Sequence, residues 1–344
     1  TPLHLTCSSA HASVHVVRVL LEQGEEGQCK IQDLDGDTPL HTAARSGAPL
    51  EVLKALLLAY PAAANERDYE GLTPLLRLWV RYVVTLGDDA LENIVSEADL
   101  TGELGEAWRK TELLLRCAHQ GKLEDNLYQL GSAYVLHAAA AVDCPRSVVK
   151  VAARIFPHQL STRDKNGLTP LLIAAQAPIF KVRDLSDDGY FFEDVVHGDQ
   201  SSGSEKEDED QSTDSQPSVI DILLQASQGD ASAGACVTDP SGRLPLHRAL
   251  DSGKKWNQGV RGLSQVHPEG LACLDPTCKL YPFLLAAEGE RSDWTTVYEV
   301  LRFDPSVLSD LRDGKLTGTS KPVGDRSSNP LVKLTKSEWV GCVG

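Results

Sequence analysis

The sequence predicts an all-α fold, a solenoid of about seven helix-turn-helix units, and three recurring features predict it. A Thr-Pro-Leu-His string, or a close variant, returns along the chain. Four of the five clear copies follow an Asp and a Gly at fixed distances. Most copies lead into a stripe of aliphatic residues at helical spacing. Self-similarity with a period of about 35 residues marks stacked units, none of which can bury its apolar face alone.

The strings are Thr1-Pro2-Leu3-His4, Thr38-Pro39-Leu40-His41, Thr73-Pro74-Leu75-Leu76, Thr169-Pro170-Leu171-Leu172 and Leu244-Pro245-Leu246-His247. Weaker copies are Tyr134-Val135-Leu136-His137 and Tyr281-Pro282-Phe283-Leu284. Counted at the Pro position, the spacings are 37, 35, 61, 35, 75 and 37 residues. The two long gaps are insertions into a unit of constant size.

Each element has a local cause. Thr38, like Thr73 and Thr169, precedes a proline and so avoids the α region, which suits a helix N-cap. Pro39, Pro74 and Pro170 fit the first helical position, where no backbone donor is lost. Leu40 begins the buried face, Ala43 and Ala44 allow close approach of the next helix, and Gly47 can end the helix in the left-handed conformation. The second helix follows as a stripe: Val16, Val17, Leu20 and Leu21; Val52, Leu53, Leu56 and Leu57; Val219, Ile220, Leu223 and Leu224. The connecting turn carries Asp33, Asp68, Asp164 and Asp239 six residues before the Pro, with Gly36, Gly71, Gly167 and Gly242 three residues after the Asp.

This pattern resembles the ankyrin repeat, over residues 1–309. The resemblance implies an ankyrin-repeat α-solenoid of helix-turn-helix units joined by β-turns. For His41, His137 and His247, and for His4, it implies a structural task, the imidazole bridging backbone groups of adjoining turns. A finer similarity lies in Tyr60-Pro61, Phe156-Pro157, His267-Pro268 and Asp304-Pro305, with Trp108-Arg109-Lys110-Thr111-Glu112 and Leu280-Tyr281-Pro282-Phe283. It looks like the expanded ankyrin family of diatom-type algae. Some units depart from the pattern. Val135 replaces Pro in the fourth, Gly259 and Ser264 weaken the second-helix stripe of the sixth, and Lys279 stands at a turn-Gly position in the seventh. The sixth and seventh units are therefore expected to be the least regular.

The insertions, 84–110 and 178–217, both fall between the first and second helix of a unit, opposite the turn tips. Leu91, Ile94, Val95 and Leu104 in the first suit either an amphipathic helix packed on the array or a loop. The second holds Tyr190, Phe191 and Phe192 and then a polar, acidic stretch expected to be disordered. It reads either as a solvated loop or as a regulated peptide, with Ser202 and Ser204 each three residues before a Glu as possible phosphosites. Residues 310–344 lose the pattern and read as a flexible tail.

Charge narrows the function classes. The formal net charge is −16, and residues 184–216, with twelve Asp/Glu and one Lys, carry −11 of it. An acidic array is not built for a nucleic-acid backbone. No apolar run reaches the roughly 20 residues of a membrane helix. Eight scattered cysteines without CxxC spacing suit reduced thiols in a cytoplasmic or nuclear protein. Cys273, Cys278 and His267 have the wrong spacing for a zinc knuckle. There is no Met, and the first string starts at Thr1, so the sequence reads as a fragment whose missing start could hold a targeting signal.

No GxSxG, GxxxxGK[ST] or GxGxxG string occurs. Cys117 and His119, two apart on a helix, point to different faces. The chain is therefore expected to be no enzyme, to use no cofactor or metal, and to bind a protein on a concave surface of turn tips and first helices. The alternative is a regulatory portion of a larger enzyme or channel. The candidate contact residues are Asp35, Arg45, Tyr69, Glu70, Arg77, Arg81, Lys165, Asn166 and Arg248. Trp79 and Tyr82 beside Arg77 and Arg81 suit either a binding hot spot or a buried core.

Overall fold

The computed structural model describes residues 1–24, 27–86, 91, 94–122, 134–179, 217–227, 231–288 and 292–305. The chain divides into two compact units, Thr1–Asp304 and Pro305–Gly344. The first contains the helical array. Residues 306–344, Ser202, Ser204 and the aromatic and acidic stretches of the second insertion lie outside the described residues.

The described residues are helical and contain no strand. They form seven pairs. The first two are α1 (Pro2–Cys7) with α2 (Val14–Gln23), and α3 (Pro39–Ser46) with α4 (Leu50–Ala59). The third and fourth are α5 (Pro74–Leu86) with α6 (Gly102–Gln120), and α7 (Val135–Ala141) with α8 (Arg146–Ile155). The fifth is α9 (Pro170–Gln176) with α10 (Val219–Ala226), after which a short α11 (Ala231–Cys236) leads to the sixth, α12 (Pro245–Asp251) with α13 (Arg261–Val266). The seventh is α14 (Pro282–Ala287) with α15 (Trp294–Phe303).

First helices pack on first helices along the array, α1 on α3, α3 on α5, α7 on α9, α9 on α12 and α12 on α14. Second helices pack likewise, α2 on α4, α4 on α6, α8 on α10 and α10 on α13. The core between the two layers is aliphatic: Leu40, Val52, Leu53, Leu56, Leu57, Leu136, Val148, Leu172 and Leu223 are all buried. Each leucine so buried contributes about 2 kcal/mol. Alanines 43, 44, 138, 139, 174, 175 and 249 are buried in the first helices and let their axes approach. The α2 stripe is the open one: Val17 is buried, but Val16 is 45% exposed.

The first insertion differs from a simple interruption. Its last nine residues, 102–110, belong to α6, which is 19 residues long. Trp108 and Ala107 are buried there, so the added turns gain core contacts and extend the second helix. Leu91 and Ile94 pack inward without forming an α-helix, while Val95 is 72% exposed.

The sixth unit is the irregular one. A π-helical turn, Trp256–Val260, precedes α13, with Gly259 at φ 102°. A Cβ on Gly259 would stand 2.5 Å from Ile220 Cβ, so the backbone there lies directly on α10. In the seventh unit Lys279 takes φ 62°, the conformation that Gly36, Gly71, Gly167 and Gly242 take in earlier turns. A side chain in that region costs about 1 kcal/mol.

Candidate interaction face

Each turn is closed in the same way. The amides of Asp33, Asp68, Asp164 and Asp239 donate to the carbonyls of Asp37, Leu72, Leu168 and Arg243. The glycine amides of residues 36, 71, 167 and 242 donate back to the Asp carbonyls. The carboxylates finish the loop: Asp33 accepts from the amides of Asp35 and Asp37, Asp164 from Asn166 and Leu168, Asp239 from Ser241 and Arg243. Asp275 does the same for the seventh turn, one residue longer than the others. This rigid scaffold leaves the residues just after the Asp pointing away from the array.

The helix starts are equally regular. Thr38 is extended at φ −78°, ψ 166°, and Pro39 follows as the first helical residue. The Thr73 and Thr169 hydroxyls accept from the amides of Leu76 and Leu172 after Pro74 and Pro170. The histidines tie unit to unit through Nε2: His4 to Asp37 O at 2.9 Å, His41 to Leu72 O at 3.1 Å, His137 to Thr162 O at 3.0 Å and His247 to Cys273 O at 3.0 Å. In His41 and His247, Nδ1 accepts a backbone amide, from Thr38 and Leu244. Nδ1 is therefore unprotonated and Nε2 donates. Burial lowers the pKa of His41, His137 and His247, which keeps the rings neutral.

Asp35, Arg45, Tyr69, Glu70 and Arg77 come together on the second and third units. The Tyr69 amide donates to Asp35 O at 3.1 Å, joining the two tips. Arg45 lies 2.8 Å from Asp37 and 3.9 Å from Asp35. Arg77 is held by Asp68 at 2.6 Å, Glu70 at 3.1 Å and Asp37 at 3.8 Å. Its side chain is only 10% exposed. Arg77 is thus an internal tie of the tips and not an outward anchor; three carboxylates on adjoining turns draw it in. Arg248 repeats the arrangement, its Nε 2.6 Å from Asp239 Oδ2 nine residues earlier. Trp79, at 1% exposure, is core and packs near the Tyr82 ring, with centroids 6.2 Å apart. The Arg81 guanidinium lies over Gly47, where a Cβ would meet Nε at 2.5 Å. Lys165 and Asn166 form the exposed tip of the fifth unit.

The carboxylates of this network differ. Burial pushes Asp239 up, but hydrogen bonds from Ser241, Arg243 and Arg248 outweigh it and hold Asp239 below the usual range. Asp37 is fully buried, and burial, only partly offset by Arg45 and Arg77, pushes it up to about 6. The charge on this face is therefore largely neutralised internally. The side chains at the first position after Asp33, Asp68, Asp164 and Asp239 are exposed, beside the charged Asp35, Arg45 and Glu70.

Leu34 is such a residue, 96% exposed, and sequence reading passed over it. It is equivalent to Tyr69, which is 73% exposed, and to Lys165. Counting one residue beyond each turn Asp would have found it. A different feature, also missed, is a cavity of about 120 Å³ at the opposite edge, lined by Ala140, Ala177, Ile179, Val219, Ile220 and Lys254 among others. Lys254 is buried, donates to Ala177 O at 2.7 Å, and is lowered to about 8 by burial. Among the described residues no group of His, Cys, Asp or Glu could hold a metal ion, and no helix is long and apolar enough to cross a membrane.

Residues 1–76 match the family model described as ankyrin repeats, 3 copies. Among solved structures, the ankyrin repeat domain of Bcl-3, described as a unique member of the IkappaB protein family, is similar. It is 17% identical, with 88% of this chain and 98% of that chain covered and a TM-score of 0.31. No curated protein matches the chain. The matched repeats, with the seven helix pairs and their repeated turns, make the fold an all-α ankyrin-repeat solenoid.

Proposed function

We propose that this ankyrin-repeat array is a non-enzymatic binding module that holds a partner protein on the face made by its turn tips and first helices. Ankyrin repeats generally mediate protein–protein interaction, and fold alone does not name the partner. The observation that carries the reading is the row of exposed tip side chains, Leu34, Tyr69 and Lys165, on turns fixed by five equivalent hydrogen-bonded loops. Rigid presentation lowers the ordering cost of binding, and an exposed leucine and tyrosine on adjoining tips supply apolar anchors. Arg45, 45% exposed, and Glu70, 56% exposed, stand beside them as a polar rim.

The free thiols of the described residues favour a reducing compartment, and we assign the protein to the cytoplasm or nucleus on that ground. The narrower kinship with diatom-type ankyrin proteins belongs to the same proposal. It is supported by Pro61, Pro157 and Pro268, each of which opens a 3₁₀ turn directly after a second helix.

Affinity capture tests the reading. The chain is used as bait beside a variant with Leu34, Tyr69 and Glu70 changed to Ala, and beside one with Lys150 and Arg154 of α8 changed to Ala. A partner lost only by the tip variant is the expected result. A partner retained by the tip variant and lost by the α8 variant contradicts it.

A further inference from the structure

We propose that the cavity beside Lys254, between the fourth, fifth and sixth units, binds a small aliphatic carboxylate whose head group pairs with the Lys254 amine. Two buried lysines are used alike by the fold. Lys110 Nζ donates to Gly47 O at 3.0 Å, at the C-terminal end of α3. Lys254 Nζ donates to Ala177 O at 2.7 Å, at the C-terminal end of α9. The two residues are 1% and 8% exposed. Each places a cation where the last carbonyls of a helix favour one.

The two differ in charge balance. Lys110 also lies 2.7 Å from Glu106. No carboxylate of the described residues pairs with Lys254, and burial, with no nearby charge to offset it, lowers its pKa to about 8. An ammonium has three N–H donors, and the Ala177 carbonyl takes one. Burying a cation without a counter-charge is costly, and an anion beside it offsets that cost. The fold itself does not ask for an amine here. The equivalent residue of the second unit, nine after the Pro, is the buried Ala48. Its backbone makes the same bond, Ala48 N–H to Ala43 O, as Lys254 N–H makes to Ala249 O.

The cavity, about 120 Å³, supplies the rest of the site. Its wall is aliphatic, with Ala140 of the fourth unit and Ala174, Ala177, Val219 and Ile220 of the fifth. Gln258 of the sixth unit lines it beside Lys254. The Gln258 Oε1 accepts the Lys255 amide at 2.9 Å, so its NH₂ group is the part left to donate. The irregular turn Trp256–Val260 holds this glutamine. Two donors and an aliphatic wall match a carboxylate on a short hydrocarbon tail. A dry cavity of roughly 150 Å³ admits benzene, so this one has room for roughly five or six non-hydrogen atoms, the size of butyrate.

The other titratable groups around the cavity do not oppose the anion. Asp143 is held by Arg67 at 2.8 Å. Burial pushes the Cys144 thiol up, so it keeps its proton. Asp221 of α10 accepts from the Ser218 amide and hydroxyl. Arg146 lines the cavity as a second cation. Because the wall draws on three units, a bound carboxylate joins them and stabilises the array as its concentration rises.

The test is calorimetric titration of the full chain in carboxylate-free buffer of matched chloride, with butyrate, butyramide and octanoate as probes. Butyrate is expected to bind. Butyramide, equal in size but neutral, should bind about tenfold more weakly for want of the charge-assisted contact. Octanoate, too long for the cavity, should also bind more weakly. Butyrate itself should bind about tenfold more weakly at pH 9 than at pH 7, because the amine loses its proton through about 8. Lys254→Met should abolish binding, and Lys150→Met, on the exposed side of α8, should leave it unchanged. The unaltered chain decides whatever the folding of the variants. No butyrate binding, an affinity equal at pH 7 and 9, or butyramide or octanoate binding as tightly as butyrate overturns the proposal. So does unchanged butyrate affinity in Lys254→Met.

Discussion

His41 of the second unit donates from Nε2 to the carbonyl of Leu72 in the next turn, 3.1 Å away, while its Nδ1 accepts the amide of Thr38 in its own unit. One neutral ring therefore bonds two backbone groups on adjoining turns, the Leu72 carbonyl accepting from the ring as well as from the Asp68 amide of its own turn. The contact recurs at His4, His137 and His247, and each instance couples one unit to the next.

Acid should weaken this coupling. The rings of His41, His137 and His247 are held below the ordinary value of 6.5 by burial. As pH falls through 6.5 the unfolded chain takes up protons that the folded array resists. The stability these residues contribute is thus present above 6.5 and lost below it. Urea midpoints between pH 8 and 5 should fall. His41→Gln should cost about 1–3 kcal/mol at pH 8 and show a shallower acid loss than the parent.

The two arginines of the tip network should behave differently. Arg77→Ala leaves the buried carboxylates of Asp37 and Asp68 facing each other, and should cost about 3–5 kcal/mol. Arg45 is 45% exposed and pairs closely with only one buried carboxylate, Asp37 at 2.8 Å, so Arg45→Ala should cost less than Arg77→Ala. Chemical denaturation of both variants at pH 7 gives the comparison.

Lys254 predicts an effect of the opposite pH range. Its folded value of about 8 lies below the ordinary 10.5, so the folded chain gives up this proton first as pH rises. Stability should therefore rise between pH 8 and 10.5 on its account. Lys254→Met should remove that part of the rise, measured as the difference between the two denaturation curves at each pH. A difference that stays constant with pH contradicts the assignment.

The turn glycines give a local test. Gly27 and Gly36 both have positive φ, 88° and 77°, but a Cβ at Gly27 meets nothing within 4 Å while one at Gly36 would stand 2.7 Å from the Tyr69 amide nitrogen. Gly27→Ala should cost about 1–2 kcal/mol for the backbone conformation alone. Gly36→Ala should cost more and should also displace the Tyr69 tip, read as a change in its backbone amide resonance.

Much of this architecture was legible because short-range chemistry dictates it. Thr-Pro at 38–39, 73–74 and 169–170 specifies helix starts, and Asp with Gly three residues on specifies the turns. The repeat follows from those strings, and Gly259 and Ser264 in the sixth unit and Lys279 in the seventh marked the last two units as the least regular. Contacts set by the stacking of units were not legible. Arg77 looked like an outward anchor because nothing in its helix says that Asp37, on the turn of the preceding unit, reaches it. Residues 102–110 read as part of an insertion because helix continuation into α6 depends on the core that receives Trp108. The meeting of Cys236 with His267, 31 residues apart, is likewise set by the stacking.

The central claim, that partners are held on the tips and first helices, is tested most directly by hydrogen–deuterium exchange of the array with and without its captured partner. The account predicts slowed exchange in residues 33–42, 68–77 and 164–173, with α4, α8 and α10 unchanged. Protection confined to α4, α8 and α10, with those turns exchanging as in the free chain, would contradict it.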